Sequence, residues 1–367
     1  MSANLLRRGL YKTVTASSAY SSSAEGTVDP LVQRLLHGLY AGRRASLAES
    51  ITLVETSHPK KKFLARQLLT NILQNAQISE YLRGYRALSF RIGLSGPPGA
   101  GKSTFIEAFG KFLTGKGMKV AVLTVDPSSV RTGGSLLGDK TRMPELSRDM
   151  SAYIRPSPSR GHLGGVTRST NEAIVLCEAA GYDIVIVETI GVGQSEFSVV
   201  DMVDLFTLVI PPGGGDELQG LKKGIMEMSD LVIVNKSDGD MISAAQRIQY
   251  EYISAFKYIP QKTKVWKPPV KRISSVTGDG IPELWDVMKD YQLKMQESGE
   301  LIKRRRLQRC AWLWTYLKEN LITTFVEFPD IKKNLKKVEK EVMNGILSPG
   351  DAADMLLQQY LEKIKPS

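Results

Sequence analysis

Cysteine and histidine are scarce in this chain, whose 367 residues include two cysteines and three histidines. Cys177 and Cys310 lie far apart, and neither belongs to a CxxC or Cys/His ligand pattern. We therefore expect neither a structural zinc site nor a disulfide framework. Long apolar runs are also missing, because no stretch approaches the roughly 18 apolar residues that span a membrane. The sequence thus predicts a soluble protein with no membrane partner.

Charge is not strongly one-sided. The chain has 49 Lys and Arg against 38 Asp and Glu, a formal net charge of +11, and the basic residues are spread along it. This balance suits a matrix or cytosolic protein with acidic ligands such as phosphates, and we expect no nucleic-acid partner. The length allows one large domain with appendages or two modest domains.

Residues 1–27 differ in composition from the rest. They contain Arg7, Arg8 and Lys12, many hydroxyl residues, and no acid before Glu25. A basic, serine-rich and acid-poor start is typical of a mitochondrial transit peptide. The alternative is a disordered tail. We favour import into the mitochondrial matrix, with removal of the peptide before Val28.

The rest of the chain divides into three parts. Leucines at helical spacing predict a helical segment over residues 28–88, and a second helical stretch over 291–367 forms a C-terminal arm. Between them, over 89–290, apolar β-branched runs alternate with helical segments: FRIGLS, KVAVLTV, DIVIVE, DLFTLVI, DLVIVN and VKRISS. This alternation predicts an α/β fold whose mostly parallel central sheet is flanked by helices.

A phosphate-binding loop follows the first predicted strand. In the sequence GLSGPPGAGKST, Gly96, Gly101, Lys102 and Ser103 fit the P-loop spacing G-x-x-x-x-G-K-S. Backbone N–H groups and a helix N-terminus wrap the phosphates, the lysine reaches the β- and γ-phosphates, and the serine hydroxyl binds Mg²⁺. The predicted loop residues are Gly96, Pro97, Pro98, Gly99, Ala100, Gly101, Lys102, Ser103 and Thr104.

A guanine-reading motif ends a later strand, in the sequence LVIVNKSDGD. The Asp238 carboxylate can accept from guanine N1–H and the 2-amino group, while Asn235 and the stem of Lys236 complete the motif. Such paired hydrogen bonds can reject the wrong ligand by ~10⁴-fold. The loop RISSVTGDG places Ser274, Ser275 and Val276 to offer backbone N–H groups to guanine O6. Together with the P-loop, these residues predict a GTP site.

Three acids are candidates for binding Mg²⁺ or its water shell. Asp126 ends the strand VAVLTVD, Asp139 lies in the loop RTGGSLLGDKTRM, and Glu188 ends DIVIVE. Mg²⁺ in phosphate sites keeps several waters, so not all three need bind directly. For Asp139, a solvated loop acid is the alternative.

Several motifs in order resemble the MeaB/ArgK group of P-loop GTPases. They are GPPGAGKST, VDPSS, GGSLLGDKTRM, YIRPSPSRGHLGGVTRSTNEA, VETIGVGQSE and GGDELQGLKKGI. The resemblance runs from about Val28 to the C-terminus and is densest from Phe90 to Asp238. It implies a homodimeric G-protein chaperone for methylmalonyl-CoA mutase, which gates adenosylcobalamin delivery from its adenosyltransferase, protects the mutase and helps expel inactivated cofactor.

The resemblance also implies three switch segments, roughly Asp126 to Met143, Glu188 to Phe197 and Gly213 to Lys223. For the third, a plain strand-to-helix turn is an equal alternative. Phosphate-sensing loops that change order with the nucleotide are a standard switch.

Catalysis lacks one expected part. In IVIVETIGVGQSE, Val192 stands where a water-positioning glutamine is usual, and no arginine is an obvious finger. We predict slow intrinsic hydrolysis that accelerates when the mutase orders the switches. Gln194, Lys222 and Asp126 are candidates for the missing group, beside Lys102 and Glu188.

Other readings use the same P-loop. A metal-insertion GTPase would need thiol or imidazole ligands, which are few and widely spaced here, and a small-molecule kinase would not need the guanine motif. A scaffold that binds GTP without turnover is a third reading. Arg155 and Arg160 could face phosphate or a partner, or be solvated loop residues.

Overall fold

The computed structural model describes residues 28–56, 58–83, 89–125, 142–155, 163–189, 198–213 and 223–364. Within these ranges, seven parallel strands form one sheet in the order β3-β2-β4-β1-β5-β6-β7. Their bounds are β1 Phe90–Ser95, β2 Val120–Val125, β3 Ala152–Arg155, β4 Ile184–Thr189, β5 Leu205–Ile210, β6 Leu231–Val234 and β7 Val270–Arg272. The predicted α/β class with a parallel sheet is confirmed.

The strands form where the chain is continuously apolar and β-branched. Every residue of β1, β2, β4, β5 and β6 is buried, as expected for strands covered by helices on both faces. Alternate side chains enter different cores: Val120 and Val122 of β2 face one, while Ala121 and Leu123 face the other. The sheet is therefore the middle of three layers.

The flanking helices connect and cover these strands. Their bounds are α1 Pro30–Tyr40, α2 Arg44–Val54, α3 Pro59–Arg83, α4 Lys102–Gly115, α5 Pro144–Arg148, α6 Leu163–Ala179, α7 Lys223–Met228, α8 Ile242–Ala255, α9 Ile281–Glu297, α10 Glu300–Glu327, α11 Pro329–Met343 and α12 Pro349–Ile364. Helices α1, α2, α3 and α6 cover one face of the sheet, and α4 and α9 cover the other.

Strand β3 is the edge strand that the sequence analysis did not predict. It has four residues, AYIR, and pairs with β2. Its last residue, Arg155, pairs with Glu55 at the end of α2, with 2.5 Å between Nη2 and Oε2. Arg155 is thus a paired strand residue and not a solvated loop residue, while its contact with phosphate or a partner stays a prediction. The side chain ties the N-terminal helices to the sheet edge.

Residue 291, where the C-terminal arm is predicted to start, lies inside a helix. Helix α9 runs through that position, and its Tyr291 and Met295 are buried in the core shared with α4. Farther along, α11 and α12 meet in a small core of their own, formed by Ile331, Val338, Ala352 and Leu356. No helix in the described ranges is long and apolar enough to cross a membrane.

Candidate nucleotide-binding site

The loop between β1 and α4 has the backbone that a phosphate cradle requires. Gly99 and Gly101 have φ values of +81° and +84°, which L side chains rarely adopt. At Gly96, an added Cβ would lie 2.0 Å from the carbonyl oxygen of Val209 on β5. Glycine is thus needed here both for conformation and for close approach of two backbone segments.

Lys102 is the first residue of α4, and its ammonium group curls back into the loop. Its Nζ donates to the carbonyl oxygens of Gly96 at 2.7 Å and Pro97 at 3.2 Å. The loop therefore already surrounds a positive charge at a helix N-terminus, where anions are stabilised. This is the arrangement that binds phosphate.

Glu188 lies beside the start of the same helix. The chain enters this point from β4, whose neighbour in the sheet is β1, so Glu188 and the P-loop meet at one sheet edge. Its side chain is 3% exposed, and its Oε1 accepts from the Ser103 hydroxyl at 3.1 Å. A hydroxyl and a carboxylate in contact are oxygen donors of the type that Mg²⁺ prefers, so the pair fits a magnesium site.

A second contact fixes the end of β4. The buried Thr189 hydroxyl lies 3.2 Å from the Ser95 hydroxyl and 3.4 Å from the carbonyl oxygen of Leu94. Sequence analysis missed this contact. Its only signal was a hydroxyl residue at or just after the end of each of two predicted strands, Ser95 and Thr189. It holds Glu188 in register with the P-loop.

Four of the predicted site residues lie outside the described residues: Asp126, Asp139, Gln194 and Lys222. The same holds for Arg160. Among the residues that are described, no group of three or more His, Cys, Asp or Glu side chains could hold a metal ion by itself.

Asn235 joins the phosphate loop to the predicted guanine site. Its Nδ2 donates to the carbonyl oxygen of Ala100 at 3.0 Å and more weakly to that of Gly101 at 3.4 Å. Its Oδ1 accepts from the backbone N–H of Ser275 at 3.2 Å and from the Ser275 hydroxyl at 2.7 Å. One buried side chain therefore connects three loops.

Asp238 and Ser274 face each other across the predicted guanine pocket. The Ser274 hydroxyl donates to Asp238 Oδ2. Between Asn235 and Asp238, Lys236 has φ of +56°, the one positive value found for a non-glycine residue in the described ranges. An L residue in that region costs energy, so the surrounding contacts impose this conformation.

The backbone amides of Ser274–Val276, which we predict to bind guanine O6, donate to groups of the chain itself. The backbone N–H of Ser274 donates to the carbonyl oxygen of Asp279, and that of Ser275 to Asn235. The N–H of Val276 donates to Ser274 Oγ at 3.3 Å, while its side chain is 81% exposed. All three amides thus have acceptors within the chain, and the contact to guanine O6 stays a prediction.

These groups meet along the carboxyl edge of a parallel sheet, where ligands bind in open α/β folds. The P-loop follows β1, Glu188 ends β4, and the guanine-type loops follow β6 and β7. The fold and the site together define a P-loop GTPase.

Comparison with known proteins gives the family. The model of the family "Methylmalonyl Co-A mutase-associated GTPase MeaB" matches residues 47–330. The chain belongs to this family, in agreement with the resemblance noted in its sequence.

Two curated relatives show how far the similarity extends. A mitochondrial methylmalonic aciduria type A homolog from Mus musculus is 54% identical over 359 residues, covering 97% of this chain and 86% of the relative. GTPase ArgK of Escherichia coli (strain K12) is 44% identical over 325 residues, covering 89% and 94%.

A solved structure agrees with the fold. The crystal structure of LAO/AO transport system kinase has a TM-score of 0.68 and 36% sequence identity, covering 93% of this chain and all of that one. The similarity therefore includes the terminal helical parts as well as the sheet.

Proposed function

We propose that this protein is a GTP-hydrolysing chaperone of methylmalonyl-CoA mutase in the mitochondrial matrix. In this role it gates the delivery of adenosylcobalamin to the mutase and protects or reactivates that enzyme. The observation that carries the proposal is Asn235, which links the phosphate loop to the guanine side in a family of mutase-associated GTPases. Relatives that are named mitochondrial support the location.

We give each part of the site a role that its contacts support. The P-loop amides and Lys102 hold the phosphates, with the lysine exchanging its bonds to Gly96 and Pro97 for phosphate oxygens. Asp238 reads the guanine base, and Ser274 and Asn235 keep the reading loop in place.

Ser103 and Glu188 would hold Mg²⁺, directly or through water, with Asp126 and Asp139 as further candidates. The bound ion would neutralise charge on the β- and γ-phosphates. The sequence has valine at residue 192, where a water-positioning glutamine is usual. Hydrolysis is therefore slow until the mutase completes the site, with Gln194, Lys222 and Asp126 as the candidate groups.

The exposed stripe on α10 supports a homodimer. Leu307, Trp314, Leu317 and Leu321 follow one another at spacings of seven, three and four residues, and all four are exposed. Such heptad spacing forms the seam of two packed helices. A second copy of this chain is the occupant that we propose, and the adenosyltransferase would act on the protein indirectly, through the mutase.

Single-turnover GTP hydrolysis tests the proposal. We expect the rate to rise at least tenfold when methylmalonyl-CoA mutase is added. A complete supplied group raises the rate of other GTPases by about 10³–10⁵, so a tenfold rise is a cautious lower bound. Asp238→Asn is the matched variant, since it should weaken GTP binding while leaving the P-loop intact. A rate that is the same with and without mutase would contradict partner stimulation.

Transfer of adenosylcobalamin gives a second, independent measurement. With mutase and adenosyltransferase present, transfer should differ between GTP and a non-hydrolysable analogue. Equal transfer with both nucleotides, and without this protein, would overturn the gating role but not the GTPase assignment.

A further inference from the structure

Side chains of helix α10 donate hydrogen bonds to the backbone of residues 200–204, the turn that leads into β5. Gln308 Nε2 donates to the carbonyl oxygen of Val203 at 2.7 Å and to that of Val200 at 3.3 Å. One turn later, Trp312 Nε1 donates to the carbonyl oxygen of Asp201 at 2.7 Å. Gln308 and Trp312 lie four residues apart, and therefore on the same side of the helix.

The contact between α10 and this turn is buried and is reinforced by a neighbouring ion pair. Gln308 is only 5% exposed, although glutamine is ordinarily a surface residue. One turn before it, Arg305 donates to both carboxylate oxygens of Asp204, at 2.7 and 2.6 Å. The acceptors of Gln308 and Trp312 are main-chain oxygens, so the helix fixes the path of the turn and not the identity of its side chains.

Apolar side chains also anchor the turn. Val199, Met202 and Val203 are buried in the core between the sheet and α6. Residues 200–204 are thus held between that core and α10. A displacement of this turn requires either breaking the hydrogen bonds that it accepts from Arg305, Gln308 and Trp312 or moving α10 with it.

The turn held by α10 lies next to a predicted nucleotide switch in the chain. It follows directly on the segment from Glu188 to Phe197, which the sequence predicts to be a nucleotide switch. At the other end of that segment, Glu188 accepts from Ser103, and Thr189 contacts Ser95. The segment is therefore tied to the P-loop at its start and to the C-terminal arm just beyond its end.

We propose that Gln308 and Trp312 are positioning residues for GTP hydrolysis. They hold residues 200–203, which lie just after the proposed second switch, and through them the arm is mechanically coupled to the nucleotide site. The inference rests on the proposed switch role of residues 188–197. Neither residue touches the nucleotide.

Variants that remove only the two N–H donors test the coupling. Gln308→Met keeps the volume and Trp312→Phe keeps an aromatic ring near Arg91, whose guanidinium lies 5.9 Å from the indole. We expect the double variant to lower the single-turnover rate of GTP hydrolysis about tenfold, because it loses the three hydrogen bonds from Gln308 and Trp312 to the turn. GTP affinity should change by less than about twofold, because the phosphate and guanine contacts are untouched.

Two matched variants separate positioning from general destabilisation. Tyr316→Phe removes a bond from the next turn of α10, to the carbonyl oxygen of Arg168 on α6. Gln358→Met makes the same substitution on α12, where the exposed Gln358 donates to Glu362 at 3.4 Å. Both should hydrolyse GTP at the wild-type rate, and circular dichroism should show all four proteins folded at the assay temperature.

Hydrogen exchange distinguishes the two ways in which the inference can fail. In the wild type, residues 188–204 should exchange differently with a GTP analogue and with GDP, and the double variant should lose that difference at 200–204. If the wild type shows no difference between nucleotides, the switch itself is wrong and the coupling falls with it. If the wild type shows the difference but the double variant exchanges and hydrolyses GTP normally, the coupling alone is wrong.

Discussion

At the scale of the residue, Gly96 shows how a single Cβ can decide whether the P-loop forms. A methyl group there would lie 2.0 Å from the carbonyl oxygen of Val209, which belongs to the strand backbone and cannot rotate away. We expect Gly96→Ala to lower the free energy of unfolding by more than about 2 kcal/mol. Urea denaturation followed by circular dichroism measures this loss.

Gly99→Ala is the control in the same loop. Gly99 also has a positive φ, +81°, but nothing lies within 4 Å of an added Cβ. Its cost should be limited to the backbone conformation, about 1–2 kcal/mol. If both variants lose the same stability, the contact with Val209 is not what demands glycine at Gly96.

Asn235 offers a second prediction at this scale. Replacing it with alanine leaves the carbonyl oxygen of Ala100 and the amide of Ser275 without their buried partner. Each lost buried bond costs about 1–3 kcal/mol, so we expect GTP affinity and stability both to fall. Ser275→Ala removes the hydroxyl that donates to Asn235 Oδ1 but keeps the backbone amide, so it should have a clearly smaller effect on the GTP dissociation constant measured by calorimetry.

The residue types of the site could be predicted from the sequence, but their contacts could not. The P-loop spacing and the motif around Asp238 identify residues whose chemistry is local. The bridge from Asn235 to Ala100 and Ser275 joins residues 135 and 40 positions apart, and one sequence contains no signal for such distances. The predicted role of the Ser274–Val276 amides did not anticipate that the chain itself would supply acceptors for them.

At the scale of the element, two adjacent arginines dock the start of α10 against the sheet. Arg304 donates to both oxygens of Asp230, and Arg305 donates to Asp204, each acid standing just before a strand. Arg305 also lies 3.5 Å from Glu178, whose Oε1 accepts from Arg91 at 2.7 Å. Buried charges of this kind are costly if one partner is removed.

Glu178 carries a pH prediction. Burial acts to raise its pKa, but Arg91 and Arg305 outweigh burial and lower the pKa from an ordinary 4.5 to about 2. Because the folded pKa is the lower one, this carboxylate stabilises the fold above about pH 4.5, and the effect is lost as the pH falls toward 2. We expect Glu178→Gln to reduce the free energy of unfolding near pH 6 by up to about 3 kcal/mol.

Urea unfolding between pH 3 and pH 7 checks that sign. The difference between wild type and Glu178→Gln should be greatest at pH 6 and should narrow at pH 3. Glu251→Gln, on the exposed side of α8, should follow the wild-type profile throughout. A gap that widens in acid would contradict the assignment of a lowered pKa to Glu178.

Elements differed in how well the sequence predicted them. Long β-branched runs such as VAVLTV identify central strands because both faces are buried. β3 was missed because four residues between polar flanks give no periodicity. A run of basic residues such as KRRR is usually exposed to solvent. Arg304 and Arg305 are nevertheless largely buried, because they pair with Asp230 and Asp204, which precede strands far away in the sequence.

At the scale of the whole molecule, the outer face of α10 is where we place the contact of the proposed dimer. The inner face is occupied by contacts to Asp204, to the carbonyl groups of residues 200–203 and to α6. Trp312 and Trp314 divide between these faces, because residues two positions apart on a helix point in different directions. Trp312 donates to Asp201, whereas the side chain of Trp314 is exposed.

A charge on the outer face should separate the proposed dimer without unfolding the chain. Leu317 and Leu321 are exposed in the single chain, so glutamate at either position disturbs no core contact but would bury a carboxylate in an apolar helix seam. We expect Leu321→Glu to sediment as a monomer under conditions where the wild type sediments as a dimer, with thermal unfolding of the sheet domain little changed.

Tyr250→Glu on α8 removes an exposed large side chain from a different face and should remain dimeric. If Leu321→Glu is still a dimer, or if Tyr250→Glu dissociates too, the seam is not on α10. Because the same helix holds the turn after the second switch, a Leu321→Glu monomer that also loses mutase-stimulated hydrolysis would show that assembly and turnover depend on one element.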